Sequence, residues 1–173
     1  DLERLELNAR LRRVHGGATL ARHTEPVTVQ DLDADTREKE AIARATAGMI
    51  RDSEVVLLDI GITTLRLARH LRGRSLTVIT NSLAVLDTLR DDDAISLVVL
   101  GGLVGSKPRT LVGPLTEEAL AQVRADVAVI SSTGIKPDGA VVTDLTQEAS
   151  IKGRMRQAAD RSILVANTSK FPG

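Results

Sequence analysis

The clearest signal of the fold is the segment Glu54-Val-Val-Leu-Leu-Asp-Ile-Gly-Ile-Thr-Thr-Leu-Arg-Leu-Ala68. It opens with four consecutive apolar residues, Val55–Leu58, as expected for a strand buried on both faces of a sheet. From Leu65 onward the apolar residues follow helical spacing instead. Between the two patterns lies Gly61, which can adopt backbone angles closed to other residues. The stretch therefore predicts a strand, a glycine turn and the start of a helix.

This turn is suited to binding an anion. Thr63 and Thr64 bring hydroxyls to a helix start, where several N–H groups are unpaired and the positive end of the helix dipole points outward. A purely structural role is the alternative, because every connection from a strand to a helix needs a turn residue and a cap. Asp59, Gly61 and Thr63 would then serve only the local fold.

The composition bounds the class of protein. The chain has 173 residues, enough for one domain or one domain with an extension, and its 23 basic and 23 acidic residues give a net charge of zero. Any contact with DNA must therefore be local or lie outside this sequence. With no cysteine and three histidines, we expect no metal and no cofactor. The single Phe, with no Trp or Tyr, excludes aromatic stacking platforms, so a polar ligand must be held by hydrogen bonds and charge.

No apolar run approaches the roughly 20 residues that span a bilayer, so we expect a cytoplasmic protein without a membrane segment.

Residues 1–18 end in a basic cluster that could approach phosphates, formed by Arg10, Arg12, Arg13 and His15. Residues 19–35 have few apolar residues and no helical period, which predicts a linker. A helix is predicted from Thr36 to about Ile50.

Strand and helix patterns then alternate to the end of the sequence. Strands are predicted at 55–58, 76–80, 95–100, 126–130, 140–143 and 162–166, and helices at 63–71, 83–89, from Pro114, and at about 144–160. This alternation predicts an α/β fold, with a mostly parallel Rossmann-like sheet and helices on both faces.

Polar residues cluster where the predicted strands end. Ligands of such sheets bind at the carboxyl ends of the strands, where the strand order reverses. Here these ends are 59–64, 80–82, 101–102, 131–134 and 167–170, and they contribute glycines, hydroxyls, amides and one lysine. This inventory fits a phosphorylated polar ligand better than an apolar one.

Several short motifs in a fixed order resemble the DeoR family of bacterial transcriptional regulators. They are Arg13-Val-His-Gly-Gly-Ala18, residues 59–64, Val78-Ile-Thr-Asn-Ser82, Leu100-Gly-Gly102, Leu111-Val-Gly-Pro114, Thr133-Gly-Ile135, Glu148-Ala149 with Lys152, and Ser169-Lys-Phe171. The resemblance implies an N-terminal winged helix-turn-helix and a C-terminal sensor domain with a fold related to ribose-phosphate isomerases and coenzyme A transferases. Residues 1–18 would be the end of the DNA-binding domain and residues 36–173 the sensor, with both ends of the sequence truncated.

The resemblance also implies which residues bind the effector, typically a sugar phosphate. Carried over by motif, the effector-binding residues are Asp59, Gly61, Ile62, Thr63, Thr64, Thr80, Asn81, Ser82, Gly101, Gly102, Glu148, Lys152, Asn167 and Lys170. Glu148 and Lys152 share a helix face and would contact sugar hydroxyls, with a surface ion pair as the alternative. Three residues depart from the family pattern, namely Ile60, Ile62 and Asn167.

Three functions follow as hypotheses. The first is a repressor of carbohydrate metabolism that binds an operator as a homodimer or homotetramer and is not an enzyme. The second is a sugar-phosphate isomerase that uses Asp144, Glu148 and Lys170. The third is a dimerisation scaffold whose pocket has been closed by Ile60 and Ile62. The sequence does not identify the effector or the operator.

Overall fold

The computed structural model describes residues 11–14, 17–20, 29–105, 109–143 and 146–171. The chain divides into two compact units, residues 1–34 and 35–173. In the first unit, β1 (Leu11–Val14) and β2 (Gly17–Leu20) pair as an antiparallel hairpin. The predicted DNA-proximal residues Arg12 and Arg13 belong to β1, whereas Arg10 and His15 lie outside the described residues.

The second unit is an α/β domain. Its helices are α1 (Val29–Met49, which begins in the first unit), α2 (Ile62–Leu71), α3 (Leu83–Leu89), α4 (Pro114–Ala121) and α5 (Thr146–Gln157). Its longer strands are β3 (Val55–Leu58), β4 (Leu76–Thr80), β5 (Ile95–Val99), β8 (Ala125–Ser131) and β11 (Ala159–Val165). Two short hairpins, β6–β7 (Leu103–Val104, Leu111–Val112) and β9–β10 (Gly134–Ile135, Val141–Val142), and a 3-10 helix (Thr168–Lys170) complete the described elements.

The longer strands form one parallel sheet in the order β11-β8-β3-β4-β5. From β3 the chain moves to one side through β4 and β5, and then crosses to the other side through β8 and β11. The strand order thus reverses between β3 and β8, which is where ligands of open α/β sheets bind.

Two apolar cores cover the two faces of this sheet, because neighbouring residues of a strand point to opposite faces. Val56 and Leu58 belong to one core, with apolar residues of α1, α2 and α3. Leu57 belongs to the other core, with apolar residues of α4 and α5. The predicted α/β fold with helices on both faces is therefore confirmed.

Two predicted boundaries were wrong. The first helix begins at Val29 and not at Thr36, so part of the predicted linker over 19–35 is helical. The last helix ends at Gln157 and not near Asp160, because β11 already begins at Ala159, paired with Ala125. Since β11 is an edge strand, its alternate residues are exposed, and its start resembles a polar helix end in sequence. Within the described ranges, no helix is long and apolar enough to cross a membrane.

Candidate functional site

A cleft of about 370 Å³ opens at the carboxyl ends of β3, β8 and β11, where the strand order reverses. Its walls come from segments that are far apart in sequence but adjacent in the sheet. The lining residues are Lys39, Ile60, Gly61, Ile62, Thr63, Ser131, Ser132, Thr133, Thr143, Glu148, Lys152, Val165, Asn167 and Lys170. We call this the effector cleft.

The start of α2 forms one wall of the effector cleft. Gly61 has φ 136°, and a Cβ at this position would lie 3.2 Å from Ser131 Oγ, so only glycine allows this turn against β8. Gly61 has no side chain to cap the helix, and the Thr64 hydroxyl donates to Gly61 O (2.9 Å). Ile62 and Thr63 line the cleft with the uncapped first turn of the helix. The positive end of the helix dipole therefore lies at the cleft and favours an anion there.

A buried ion pair forms the floor of the cleft. Asp59 is 1% exposed, and its Oδ2 accepts hydrogen bonds from Ser131 N (2.9 Å), from Ser131 Oγ (3.0 Å) and from Lys152 Nζ. The Ser131 hydroxyl lies 3.2 Å from Lys152 Nζ and 2.7 Å from Ile60 O. Asp59 is thus engaged within the protein, and it holds the Lys152 ammonium in a fixed position at the cleft.

Glu148 and Lys152 are both buried, at 5% and 9% exposure, so the alternative of a surface ion pair was wrong. Its physical reason is the packing of α5 against the sheet, which places Ile151 and Met155 in the core and brings these two charged residues to the cleft. The Glu148 carboxylate accepts a hydrogen bond from the Thr143 hydroxyl (2.9 Å). A carboxylate next to a hydroxyl can bind the hydroxyl groups of a sugar.

The 3-10 helix after β11 forms the opposite wall. Asn167 is 2% exposed and donates from Nδ2 to Ser169 Oγ (2.9 Å). Lys170 lines the cleft, and no carboxylate of the described residues lies within ion-pair distance of its ammonium group. Lys39 of α1 adds a second lysine to the lining. Three lysines and a helix start therefore line the cleft, a charge arrangement suited to a phosphate group.

The predicted residues at the end of β4 and directly after it do not line the effector cleft. The Thr80 hydroxyl donates to Leu58 O (2.6 Å), and the Asn81 amide donates to Leu111 O (3.0 Å). Ser82 caps α3 by accepting from Val85 N (3.3 Å). These side chains hold β4 to β3, fasten the β6–β7 hairpin and start a helix.

The predicted residues after β5 also lie elsewhere. Gly101 O accepts from the Thr116 hydroxyl (2.6 Å), and a Cβ on Gly102 (φ 154°) would overlap that hydroxyl and Val112 O. The glycine pair therefore allows α4 and β7 to approach the end of β5. Of the residues implied by the family motifs, Gly61, Ile62, Thr63, Glu148, Lys152, Asn167 and Lys170 meet at the cleft, and Asp59 lies beneath them.

Sequence reasoning missed several residues of the cleft. Lys39 belongs to a helix distant in sequence, and no local pattern indicates that its side chain reaches a strand end. Ser131, Ser132 and Thr133 lie in segment 131–134, which was predicted to be one of the ligand-binding strand ends, but they were not among the predicted effector-binding residues. Ser132 Oγ is buried and has no hydrogen-bond partner within the described part of the chain.

Asp144, on which the isomerase hypothesis depends, lies outside the described residues. In those residues no cluster of three His, Asp or Glu side chains could hold a metal ion.

Comparisons with known proteins agree on one family. Residues 34–172 match the model of the DeoR C-terminal sensor domain. The chain is 35% identical over 176 residues to the transcriptional repressor AccR of Agrobacterium fabrum, a match that covers 99% of this chain and 68% of that protein. It is 31% identical over 173 residues to the glycerol-3-phosphate regulon repressor of Escherichia coli, covering 99% of this chain and 69% of that protein.

A comparison of structures shows the same fold in an enzyme. The ribose 5-phosphate isomerase A of Methanocaldococcus jannaschii superposes with a TM-score of 0.59 at 14% identity. The superposition covers 80% of this chain and 55% of that chain, so this chain spans about half the length of the isomerase. At this level of identity the likeness shows the fold alone.

Proposed function

This chain belongs to the DeoR family of bacterial transcriptional regulators, and from that premise we propose that it is the sensor part of a repressor of carbohydrate metabolism whose effector is a phosphorylated sugar. The names of the relatives support a repressor, and one of them refers to a phosphorylated polyol. We also propose that the full-length protein acts on an operator in the cytoplasm as a homodimer or homotetramer, because paired DNA-binding domains read paired half-sites.

The observation that carries this proposal is the distribution of charge along the effector cleft. The uncapped start of α2 and Lys170 offer donors for a phosphate, whereas Glu148 and Thr143 offer groups for hydroxyls. Charge-assisted hydrogen bonds contribute roughly 1.5 to 3 kcal/mol each, so three or four of them contribute roughly 5 to 12 kcal/mol, a range that includes the roughly 8 kcal/mol of micromolar binding.

The isoleucines that depart from the family pattern do not close the cleft. Ile62 is 60% exposed and projects at the rim, and a volume of about 370 Å³ remains beside Ile60. This volume lies in the usual range of small-molecule sites. The geometry therefore favours a ligand-binding sensor over a scaffold without a ligand.

Of the two carboxylates at the cleft, Glu148 accepts a hydrogen bond from the Thr143 hydroxyl, and Asp59 is not placed to act as the base of an isomerase. An isomerase needs a carboxylate base that is available to the substrate. Asp59, the carboxylate beneath the cleft, is engaged by Ser131 and Lys152 and is 1% exposed. Its position suits the orientation of Lys152 and not proton abstraction.

The test uses the full-length protein and a fluorescently labelled operator fragment that the protein itself selects from genomic DNA. We expect one phosphorylated sugar to change the affinity for this DNA by roughly 5- to 150-fold, the usual range of allosteric coupling, whereas the free sugar has no effect. Lys170→Ala should lose this response. Lys136→Ala, which removes an exposed lysine outside the cleft, should keep it. A protein that binds the operator equally with and without every phosphorylated sugar would contradict the proposal.

A further inference from the structure

One carboxylate joins α1 to the segment that closes the effector cleft. Glu38 Oε1 accepts from the backbone N–H of Thr168 (2.8 Å), and Glu38 Oε2 accepts from the Thr168 hydroxyl (3.0 Å). Both oxygens of the carboxylate therefore engage the first residue of the 3-10 helix. We call this pair of hydrogen bonds the Glu38–Thr168 clasp.

Each residue of the clasp is close in sequence to a lysine that lines the cleft. Lys39, the neighbour of Glu38 in α1, lines the cleft. Lys170 lines it from the 3-10 helix that begins at Thr168. The clasp thus joins the two elements that bring these lysines to the same cleft.

The rest of α1 is fastened to α2, the helix that starts at the cleft. Glu40 accepts from Arg66 Nη1 (3.0 Å) and lies 2.6 Å from His70 Nε2. Arg74, in the turn after α2, donates to the carbonyl oxygens of Ala47 (3.0 Å) near the end of α1 and of Ile50 (2.7 Å) just after it. The helix α1 is therefore bonded to both walls of the effector cleft, to α2 directly and to the 3-10 helix through Glu38.

We propose that Glu38 is a positioning residue of the effector cleft and that, through the Glu38–Thr168 clasp, occupancy of the cleft orders α1. This inference rests on the proposed function, because it requires an anion that binds in the effector cleft between the start of α2 and the 3-10 helix. A phosphate in the cleft attracts the lysine of α1 and the lysine of the 3-10 helix alike, and so favours the arrangement in which these two elements lie together. The clasp fixes the distance between these two elements and keeps Lys170 in place before the ligand arrives, which lowers the ordering cost of binding.

Calorimetric titration of the 173-residue chain tests the effect on affinity. The probes are glucose 6-phosphate, ribose 5-phosphate, glycerol 3-phosphate and inorganic phosphate, and the probe that binds wild type most tightly is used for the variants. Glu38→Gln should weaken binding of the probe by about 3- to 10-fold. The effect is modest because the clasp is exposed and one of its donors is a backbone N–H. Thr168→Ser keeps both donors and should bind like wild type, whereas Thr168→Val loses the hydroxyl and should bind about 2- to 3-fold more weakly.

Glu117→Gln is the matched control. Glu117 accepts from Arg154 (2.8 Å) and so joins α4 to α5, and neither residue lines the cleft. Both Gln variants remove one carboxylate that links two elements, so any general loss of stability appears in both. Only Glu38→Gln should change the affinity for the probe.

Hydrogen exchange distinguishes positioning from mere stability. In wild type the probe should slow the exchange of amides in residues 38–46 of α1 and in residues 61–66 at the start of α2. In Glu38→Gln at saturating probe the protection of 38–46 should be lost, whereas that of 61–66 remains.

Two results would overturn the inference, and they are distinguishable from each other. If wild type binds a probe and Glu38→Gln binds it equally, with the same protection of α1, the role of Glu38 is wrong and the proposed function stands. If wild type binds none of the probes, both the proposed function and the role of Glu38 are wrong.

Discussion

Asp59→Asn tests whether the ion pair on the cleft floor is a closed, buried pair. The substitution keeps the size of the side chain and removes the charge that faces Lys152. In wild type, Asp59 is 1% exposed and Lys152 is 9% exposed, and one carboxylate oxygen accepts from Ser131 and from Lys152. The variant would leave the Lys152 ammonium buried without a counter-charge.

The expected cost is large because removing one member of a buried pair typically destabilises a protein by about 3 to 5 kcal/mol. Lys152 lines the cleft, so water reaches it on one side, and we expect the lower end, about 3 kcal/mol. For a chain of this length, a change of 1 kcal/mol shifts the melting temperature by roughly 2 to 4 °C. Asp59→Asn should therefore melt about 6 to 12 °C below wild type.

Urea unfolding followed by far-UV circular dichroism measures this cost, since the chain has neither Trp nor Tyr for fluorescence. The buffer must be free of phosphate, because an anion in the cleft would screen Lys152. The control is Asp59→Asn combined with Lys152→Met, which removes both charges and should recover stability to within about 1 kcal/mol of wild type. A single variant within about 1 kcal/mol of wild type, or a double variant less stable than the single one, would refute this description of the pair.

Three further predictions concern elements around the site. Gly102→Ala should lower the free energy of unfolding by about 2 to 4 kcal/mol in the same urea assay, because the new Cβ would overlap the Thr116 hydroxyl of α4. A loss below about 1 kcal/mol would contradict this close packing of α4 against Gly102. Ser82→Ala should cost about 1 kcal/mol as the loss of a helix cap and leave the affinity for a sugar phosphate unchanged, and weaker binding would place this residue in the cleft after all. Hydrogen bonds, from Arg66 first and then from His70, hold the pKa of Glu40 below its usual value of 4.5, so the ionised carboxylate stabilises the fold above about pH 4.5, and this contribution is lost as the pH falls through the lowered pKa. The stability of Glu40→Gln should therefore depend less on pH in that acidic range. Identical plots of stability against pH for wild type and Glu40→Gln would refute this role of Glu40.

Much of the fold was predictable because the core residues follow short apolar patterns that are local in the sequence. Val55–Leu58 and Leu76–Thr80 are short apolar runs that end in polar turns, and both strands lie where predicted. The predicted start of the first helix was wrong because Thr36 resembles a cap, although the helix already runs from Val29. A cap signal inside a longer helix is not distinguishable in sequence from a true helix start.

The site was predictable only in part, because residue types at strand ends do not reveal which strands are neighbours. Thr80 ends one predicted strand and Lys170 follows another, yet Lys170 lines the cleft and Thr80 bonds to Leu58. The difference arises from the strand order, since β8 and β11 lie on one side of β3, and β4 lies on the other. Lys39 reaches the cleft from a helix, and no motif indicated it.

Calorimetric titration of sugar phosphates into wild type and Lys170→Ala is the measurement that tests the sensor assignment most directly. We expect one phosphorylated sugar to bind wild type with a dissociation constant of about micromolar size, and its unphosphorylated form to bind far more weakly. We also expect at least about a tenfold loss of affinity in Lys170→Ala, because Lys170 supplies a charge to the cleft without an ion-pair partner in the described residues. Binding that is equally tight in wild type and Lys170→Ala, or equally tight for the sugar and its phosphate, would show that the cleft is not a sensor of phosphorylated sugars.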